Sequence, residues 1–318
     1  MNVAFDTRAG KDGDGVGRYA RSLLTALAAS GRGSVIHTHA PNQTRVDVYH
    51  SPWLDGALLH APVPMVVTVH DLIALKKPSE LLRNGLRVRM RYLAAQRATR
   101  VIVPTRVVAD DVMHAPQIRS DRIEVIPEAA APVFCPRPQD ELDRVRSRYE
   151  LPDDYLLWVG GLKTPDPHKR VAQLTRARRS LPLVLVGASG AWAHQLRDVT
   201  LTGEVPDDDL AAIYTGARAL ILASTDEGFG LTPVEALACG TPVAACDVPA
   251  VREVLGGQVE LTAPDDLDAL VRAAETATRP APVLPAWTWD DVADATWDLY
   301  ETASRAPAGR ICRTATTP

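Results

Sequence analysis

Glu227 and Glu235 are the carboxylates whose spacing first indicates chemistry, because seven residues separate them across a predicted strand-to-helix junction. A predicted strand at residues 220–224 precedes Glu227, and Pro233 suits the first position of the helix that carries Glu235. The glycine-rich residues 228–231 can turn backbone N–H groups toward an anion, which a helix N-terminus also favours. A loop carboxylate beside such an anion site makes sense if it accepts hydrogen bonds from hydroxyl groups.

Glu235 also has a purely structural explanation. Thr232 and Glu235 have the spacing of a capping box, in which two side chains satisfy backbone N–H groups at the start of their own helix. Gly240 suits the C-terminal cap of the same helix. The sequence therefore leaves open whether Glu235 binds a ligand or caps its helix, whereas no cap requires Glu227.

A second glycine-rich segment follows the first predicted strand. Gly15 and Gly17 open a helix there, so the backbone can approach a phosphate at the helix N-terminus. With Ala20 they satisfy the dinucleotide-binding spacing, but no acidic residue ends the next predicted strand to hold a ribose. This segment leaves open a turn without function, a nicotinamide dinucleotide site, and a metal-binding pair formed by Asp12 and Asp14.

These segments follow strands in a pattern of strands and helices that repeats along both halves of the chain. Such repetition implies parallel sheets with helices on both faces, so the sequence predicts an α/β protein with two Rossmann-like domains. Ligands of such sheets lie beyond the carboxyl ends of the strands. A linker is expected at 136–151, which is rich in charge and proline. The predicted strands are 2–6, 34–38, 46–50, 65–70, 101–104, 123–127, 156–160, 183–187, 199–202, 220–224, 242–246 and 259–262. The predicted helices are 18–29, 80–98, 106–113, 170–179, 208–214, 233–239, 250–255, 266–274 and 289–305.

Composition narrows the class of protein further. The 318 residues suffice for about two domains, and 46% hydrophobic with 23% charged residues exclude wholesale disorder. A net charge of −4 gives no electrostatic footprint for nucleic acid, and we expect no nucleic-acid partner. No apolar stretch is long enough to span a membrane, and Asp6 and Arg8 interrupt any secretory signal. Four cysteines without a CxxC pair predict a reducing, cytoplasmic location and no structural zinc.

The segment Glu-Gly-Phe-Gly-Leu-x-x-x-Glu, from Glu227 to Glu235, is followed by Ala-Leu-Ala-Cys-Gly-Thr-Pro-Val. It resembles the EX7E signature of retaining glycosyltransferases of family GT4, which have the GT-B fold. Residues 15–19 and 68–72 resemble the mannosyltransferase-like branch of that family. The final helix, 289–305, resembles the one that crosses back to the N-terminal domain in this fold. The resemblance extends over most of the chain.

The resemblance implies a role for each residue of the signature. Glu227 would hold hydroxyl groups of the donor sugar, and Glu235 those of the ribose. The backbone N–H groups that would contact the sugar and the diphosphate belong to Gly228, Phe229, Gly230 and Leu231.

The resemblance also assigns residues of the N-terminal half. Gly15 and Gly17, with Arg18 beside them, would approach the diphosphate from the other domain. His70 would lie over the transferred sugar in the interdomain cleft of a GT-B enzyme.

A basic loop after the predicted strand 156–160 contains His168, Lys169 and Arg170. A departing nucleoside diphosphate gains negative charge, and fixed cations lower that barrier. Family members have an Arg and a Lys in this loop. Lys169 fits the Lys, whereas His168 stands where the Arg is expected, and Arg170 is the alternative cation. A solvated basic loop without function is the structural alternative.

The segment 76–106 contains nine basic residues and one acid, Glu80. Arg83, Arg87 and Arg91 form a stripe beside an apolar row on the predicted helix. A solvated helix face explains the pattern. The alternative is attraction to an anionic acceptor or to anionic lipid, which would place the enzyme peripherally at the inner membrane face.

The sequence thus predicts a GT-B enzyme with two Rossmann-like domains facing across a cleft. Residues 1–145 would form the acceptor-binding domain, 146–286 the nucleotide-sugar-binding domain, 287–305 the crossover helix and 306–318 a disordered tail.

The expected reaction moves a hexose from a nucleotide diphosphate sugar to an acceptor hydroxyl, with retention of anomeric configuration. GDP-mannose is the first expected donor and UDP-glucose the second. The sequence does not identify the acceptor hydroxyl, for which a lipid-linked molecule and a small glycoside are the candidates, and neither a cofactor nor a metal is expected. A GT-B sugar-nucleotide epimerase and a non-catalytic nucleotide-sugar-binding protein are the alternatives.

Overall fold

The computed structural model contains two six-stranded sheets whose strands are joined largely by helices. It describes residues 1–9, 15–43, 45–73, 78–115, 117–281 and 287–306, and only the backbone at 43, 78–84, 87 and 88. The chain divides into two compact units. The first unit comprises Met1–Pro127 with the segment from Asp290, and the second comprises Glu128–Trp289.

The first unit contains a parallel sheet in the order β2-β1-β3-β4-β5-β6. Its strands are β1 (Asn2–Phe5), β2 (Ser34–His37), β3 (Val48–Ser51), β4 (Met65–Thr68), β5 (Arg100–Val103) and β6 (Ile123–Val125). Its first three helices are α1 (Gly15–Ala29), α2 (Pro78–Ala95) and α3 (Arg106–His114).

The second unit contains a parallel sheet in the order β12-β11-β10-β7-β8-β9. Its strands are β7 (Leu156–Val159), β8 (Leu183–Val186), β9 (Val199–Gly203), β10 (Ala219–Leu222), β11 (Val243–Cys246) and β12 (Glu260–Thr262). Its helices are α4 (Gln139–Tyr149), α5 (Val171–Leu174), α6 (Asp207–Gly216), α7 (Leu231–Ala238), α8 (Pro249–Leu255) and α9 (Leu267–Thr276).

All twelve predicted strands are present, and their burial explains why the sequence reveals them. Every residue of β4, β8 and β10 is buried, as expected for central strands covered on both faces. In α1, the inward residues Tyr19, Leu23 and Leu27 recur every four positions, which is the spacing of one helix face. The prediction of an α/β fold with two Rossmann-like sheets is confirmed.

Each sheet has one point where the order of its strands reverses. In the first, β2 and β3 flank β1 on opposite sides, and in the second, β8 and β10 flank β7. Loops that follow the two strands at a reversal diverge and leave a crevice at the carboxyl edge, where ligands of such sheets bind. The reversal points therefore lie between β1 and β3 and between β7 and β10.

The last helix, α10 (Trp289–Ser304), returns the chain to the first unit. Trp297 and Tyr300 are fully buried there, and the Trp297 indole N–H donates to the Leu27 carbonyl at 3.4 Å. On the surface, Arg32 pairs with Asp298 at 2.7 Å and with Glu301 at 2.9 Å. The predicted return of this helix to the N-terminal half is confirmed.

The predicted linker at 136–151 is wrong, because most of it forms α4 within the second unit. The many charged residues of this segment conceal a helix face that points inward. On that face Val145 is buried and Leu142 packs against the core. Asp209 of α6 accepts hydrogen bonds from Arg144 at 2.7 Å and from Tyr149 at 2.7 Å. These contacts attach α4 to α6.

The helix predicted at 170–179 is also shorter than expected, since α5 ends at Leu174. The backbone N–H of Arg178 donates to the Asp268 carboxylate at 3.1 Å instead of continuing a helix. The Arg179 guanidinium donates to the Thr175 carbonyl at 2.7 Å. Tertiary partners thus replace the helical hydrogen bonds.

Among the described residues, no helix is long and apolar enough to cross a membrane.

Candidate active site

The second unit brings two predicted loops together at the reversal point of its sheet. One loop follows β7 and contains His168, and the other follows β10 and contains Thr225. The Thr225 N–H donates to the His168 carbonyl at 2.9 Å, and the Thr225 hydroxyl lies 3.4 Å from His168 Nδ1. The cation loop and the segment that leads to Glu227 are therefore neighbours in space, although about sixty residues separate them in sequence.

The start of α7 has the features of an anion-binding helix terminus. Gly230 is the N-cap residue, its φ is +93°, and as a glycine it has no side chain with which to cap the helix. The first turn of α7 contains no acidic residue, so its backbone N–H groups and the helix dipole favour an anion. Glu227 lies half-buried in the loop just before this terminus.

The Phe229 side chain is buried in the hydrophobic core of the second unit. It anchors the loop between Glu227 and α7. Any contact of Phe229 with a ligand therefore depends on its backbone N–H group, as it does for Gly228. The donor-binding assignment of these residues and of Leu231 stays a prediction.

Glu235 is 1% exposed, and the Tyr214 hydroxyl of α6 donates to its carboxylate at 3.1 Å. The capping box with Thr232 is not formed, because α7 begins at Leu231 and Gly230 is its N-cap residue. No role was predicted for Tyr214, because its contact with Glu235 depends on how α6 packs against α7. Glu235 is thus a buried acceptor between two helices, and its proposed ribose contact stays a prediction.

The predicted C-terminal cap is confirmed. Gly240 follows α7 with a φ of +74°, and its N–H donates to the Leu237 carbonyl at 2.9 Å. The Thr241 N–H donates to the Ala236 carbonyl at 2.9 Å, which completes a Schellman motif. This cap ends the helix that carries Glu235.

Lys169 and Arg170 are adjacent but differ in their surroundings. Arg170 Nε donates to the Ala223 carbonyl at 2.7 Å, and Nη2 donates to Cys246 Sγ at 2.8 Å. Arg170 Nη1 also donates to the Pro264 carbonyl. These contacts tie the ends of β10 and β11 together and engage the guanidinium within the protein. Among the residues that the structure describes, none forms an ion pair with Lys169, which is half-buried. These contacts favour Lys169 over Arg170 as the cation for a ligand.

In the first unit, Gly15 and Gly17 lie in the first turn of α1, and half-buried Arg18 follows them. Gly17 is buried, whereas Gly15 is exposed and has open space where a side chain would be. Asp12 and Asp14 lie outside the described residues. Within the described part of the chain, no group of three or more His, Cys, Asp or Glu residues could hold a metal ion.

His70 follows β4, and its Nε2 lies 2.9 Å from the Pro52 carbonyl oxygen. Since a carbonyl only accepts hydrogen bonds, Nε2 carries the proton. The imidazole ring meets the Tyr19 ring edge-on, with the ring centroids 4.5 Å apart. His70 is therefore oriented by two contacts within the first unit.

A buried charge that was not predicted lies at the reversal point of the first sheet. Asp6 is 0% exposed, and its carboxylate accepts hydrogen bonds from Arg8 Nε at 2.9 Å and Nη2 at 2.6 Å. The Tyr49 hydroxyl donates to the same carboxylate at 3.2 Å. Burial alone would raise the pKa of Asp6, but the hydrogen bonds from Arg8 outweigh it and hold the pKa below its usual value. A charged residue ending an apolar strand was the available signal.

The basic segment 76–106 is described in part. Lys76 and Lys77, and the side chains of Arg83 and Arg87, lie outside the described part of the structure. Arg91 forms an ion pair with Asp55. Three large apolar side chains of α2 are exposed: Leu86 is 78% exposed, and Met90 and Leu93 are also exposed.

Comparison with known protein families gives two matches along the chain. Residues 34–130 match the family described as Glycosyltransferase Family 4, and residues 153–279 match the family described as Glycosyl transferases group 1.

Curated relatives include the D-inositol 3-phosphate glycosyltransferase of Xylanimonas cellulosilytica. It is 30% identical over 341 aligned residues, which cover 91% of this chain and 78% of that protein. The O-antigen chain mannosyltransferase B of Escherichia coli is 28% identical over 244 residues, covering 70% of this chain. The match spans 63% of that relative, and 29% of the serotype-specific mannosyltransferase WbdA of Escherichia coli.

Among solved structures, Anabaena HepE in complex with UDP and glucose has a TM-score of 0.68 at 16% identity, covering 96% of this chain and 97% of that one. The glycosyltransferase WaaG, involved in lipopolysaccharide biosynthesis, has a TM-score of 0.66 at 17% identity, covering 95% and 98%. These similarities concern the fold.

Proposed function

Because the chain belongs to glycosyltransferase family 4 and has the GT-B fold, we propose that it moves a hexose from a nucleotide diphosphate sugar to an acceptor hydroxyl with retention of configuration. Mannose from GDP-mannose is the proposed first choice, since several relatives are named mannosyltransferases. UDP-glucose is the second, since the related fold of HepE binds it. The second unit is the proposed donor-binding unit, and the first unit the acceptor-binding one.

One observation carries the proposal: the loop of Lys169 and the loop of Glu227 meet at the reversal point of the second sheet. There, the backbone N–H groups at the start of α7 and Lys169, for which the described residues provide no ion-pair partner, would supply positive potential for a diphosphate. Glu227 provides a carboxylate acceptor for sugar hydroxyl groups. A carboxylate beside an anion site is explained by a ligand that is both a polyol and a diphosphate.

In the proposed reaction, the bond between the anomeric carbon and the diphosphate oxygen breaks as the acceptor oxygen attacks the same face. Lys169 and the amides of α7 stabilise the negative charge that develops on the departing diphosphate. The acceptor proton passes to a departing phosphate oxygen, so the step needs no external oxidant or reductant. Glu227 and His70 orient the transferred sugar.

The test is incubation with radiolabelled GDP-mannose or UDP-glucose, with and without excess EDTA. A transferase hydrolyses its donor slowly in the absence of acceptor, and we expect this activity to persist in EDTA. Interconversion of the sugar would support an epimerase, and binding without turnover a nucleotide-sugar-binding protein. Activity that EDTA abolishes and Mn²⁺ restores would assign Asp12 and Asp14 to a metal.

We further propose that the segment 76–106 contacts anionic lipid. Exposed Leu86, Met90 and Leu93 on α2, among basic residues, support this proposal because apolar area and positive charge both add to interfacial binding. Flotation with vesicles of phosphatidylglycerol and phosphatidylcholine tests it. Leu86→Ser should weaken binding to the anionic vesicles, and equal recovery with purely zwitterionic vesicles would contradict it.

A further inference from the structure

A chain of buried hydrogen bonds runs through the first unit from α10 toward His70. The Tyr300 hydroxyl lies 2.5 Å from His50 Nδ1, and His50 Nε2 lies 2.9 Å from the Thr68 hydroxyl. The Thr68 hydroxyl lies 3.1 Å from the Tyr19 hydroxyl. All four residues are at most 1% exposed, so water does not compete for these bonds. These hydrogen bonds join residues as far apart in sequence as Tyr19 and Tyr300.

His50 is held in its neutral form. Burial, and to a smaller extent the nearby His70, lower its pKa to about 3 against the opposing effect of Asp6. A neutral imidazole has one donor and one acceptor nitrogen. Its two partners, Tyr300 and Thr68, can each donate or accept, so both nitrogens are satisfied whichever tautomer forms.

Two connections lead from these buried hydrogen bonds to His70. In the first connection, the Tyr19 hydroxyl is bonded to Thr68, and the Tyr19 ring packs edge-on against the His70 ring. In the second connection, the backbone runs from His50 through Ser51, where β3 ends, to Pro52, whose carbonyl accepts from His70 Nε2 at 2.9 Å. These two contacts of the His70 ring are therefore both connected to His50, one through Thr68 and Tyr19 and the other along the backbone.

We propose that His50 and Tyr300 are positioning residues, which hold the imidazole of His70 in one orientation and one tautomer through Thr68, Tyr19 and Pro52. The inference rests on the proposed function, in which His70 orients the transferred sugar. Its consequence is that the last helix of the chain tunes the chemical step through a hydroxyl group that touches no substrate. Displacement of a catalytic group by about 1 Å is enough to cost about a hundredfold in rate.

The structural alternative is that these hydrogen bonds only satisfy buried polar groups. It predicts that loss of a hydroxyl lowers stability without changing His70. The neighbouring Thr296 provides a matched control, because its hydroxyl is equally buried in α10 but donates to the Val292 carbonyl at 2.6 Å, within the helix.

The experiment compares Tyr300→Phe, Thr68→Val and Thr68→Ser with the control Thr296→Val. Hydrolysis of GDP-mannose gives kcat and KM, thermal unfolding gives Tm, and NMR of protein labelled with ¹⁵N-histidine reports the tautomer of His70. The His70 signals are assigned with His70→Gln. Tyr300→Phe and Thr68→Val should lower kcat about tenfold to a hundredfold, leave KM within about twofold and shift the His70 ring nitrogens. Thr68→Ser should retain at least half of kcat, and Thr296→Val should change only Tm.

Unchanged His70 signals in Tyr300→Phe, or an unchanged kcat, would overturn the positioning role. A loss of kcat in Thr296→Val of the same size would assign the effect to helix stability and also overturn it. If the wild-type protein hydrolyses neither GDP-mannose nor UDP-glucose, the proposed function fails, and the His70 signals alone decide the positioning. The two failures are therefore distinguishable.

Discussion

At the scale of single residues, Glu227 lies in the loop before α7, outside the N-cap position that Gly230 occupies. We predict that Glu227→Ala lowers donor hydrolysis at least a hundredfold while circular dichroism and Tm stay near those of the wild type. The control is Glu204→Ala, which removes an exposed carboxylate of the same unit and should leave hydrolysis unchanged. Wild-type turnover in a folded Glu227→Ala protein would exclude the assignment.

Lys169 is the residue to which we assign the diphosphate charge. Lys169→Ala should weaken binding of GDP about tenfold or more, because one charge-assisted contact to an anion contributes about 1.5–3 kcal/mol. Isothermal titration measures the affinity. Lys163→Ala, an exposed lysine of the same loop, should bind GDP as the wild type does. Equal losses in both variants would indicate a diffuse basic loop instead of a defined contact.

The lowered pKa of His50 predicts that the stability of the protein depends on pH. A histidine in an unfolded chain titrates near a pKa of ~6.5, whereas burial lowers the pKa of His50 in the folded protein to about 3. Between these values the unfolded chain binds a proton that the native protein does not. Stability is therefore complete above pH 6.5 and declines as the pH falls toward 3, by at most about 1.4 kcal/mol per pH unit from this group.

Urea unfolding between pH 7 and pH 5 measures this dependence. The His50→Gln variant should be less stable at pH 7 but should lose less stability over that range, because its side chain does not titrate. At lower pH, both proteins also lose the stability that ionised Asp6 contributes, because the pKa of Asp6 is lowered in the folded state. Parallel pH profiles for the two proteins would show that His50 does not titrate as described.

At the scale of elements, the start of α7 depends on a glycine. Gly230 has a φ of +93°, and a Cβ atom there would lie 3.1 Å from Pro233 Cγ. Gly230→Ala should therefore cost about 1–2 kcal/mol of stability and weaken GDP binding by displacing the amides of the first turn. Gly161→Ala is the matched control, because a Cβ atom there meets nothing within 4 Å. If the Gly230→Ala variant kept its affinity for GDP and its stability, the predicted strain at position 230 would be refuted.

At the scale of the whole molecule, the return of the chain through α10 completes the core of the first unit. Trp297 is fully buried, so Trp297→Ala should lower the free energy of unfolding by about 3–5 kcal/mol, through lost apolar contacts and the remaining cavity. Trp287→Ala, which removes a 39% exposed indole, should have a much smaller effect. Chemical unfolding followed by circular dichroism makes the comparison, and equal effects would mean that α10 contributes little to the core.

The sequence alone determined the number and place of the strands, the α/β class and the segments that follow strands with glycines, glutamates and cations. These features are local, because a β-branched run such as Val66–Val69 and the glycine cap at Gly240 depend on the backbone conformation of neighbouring residues. The same locality explains the failure at α4, whose single buried valine among charges does not distinguish a surface helix from a linker.

Only the tertiary structure decided which segments meet. The order of strands places β10 beside β7, so that Thr225 bonds to His168, and no local pattern encodes that pairing. It also decided that Glu235 faces Tyr214 instead of capping its helix, and that Tyr300 reaches His50 across the first unit. The physical reason is that burial and hydrogen bonding between distant residues depend on how whole elements pack, and chain periodicity reports only which face of each element is apolar.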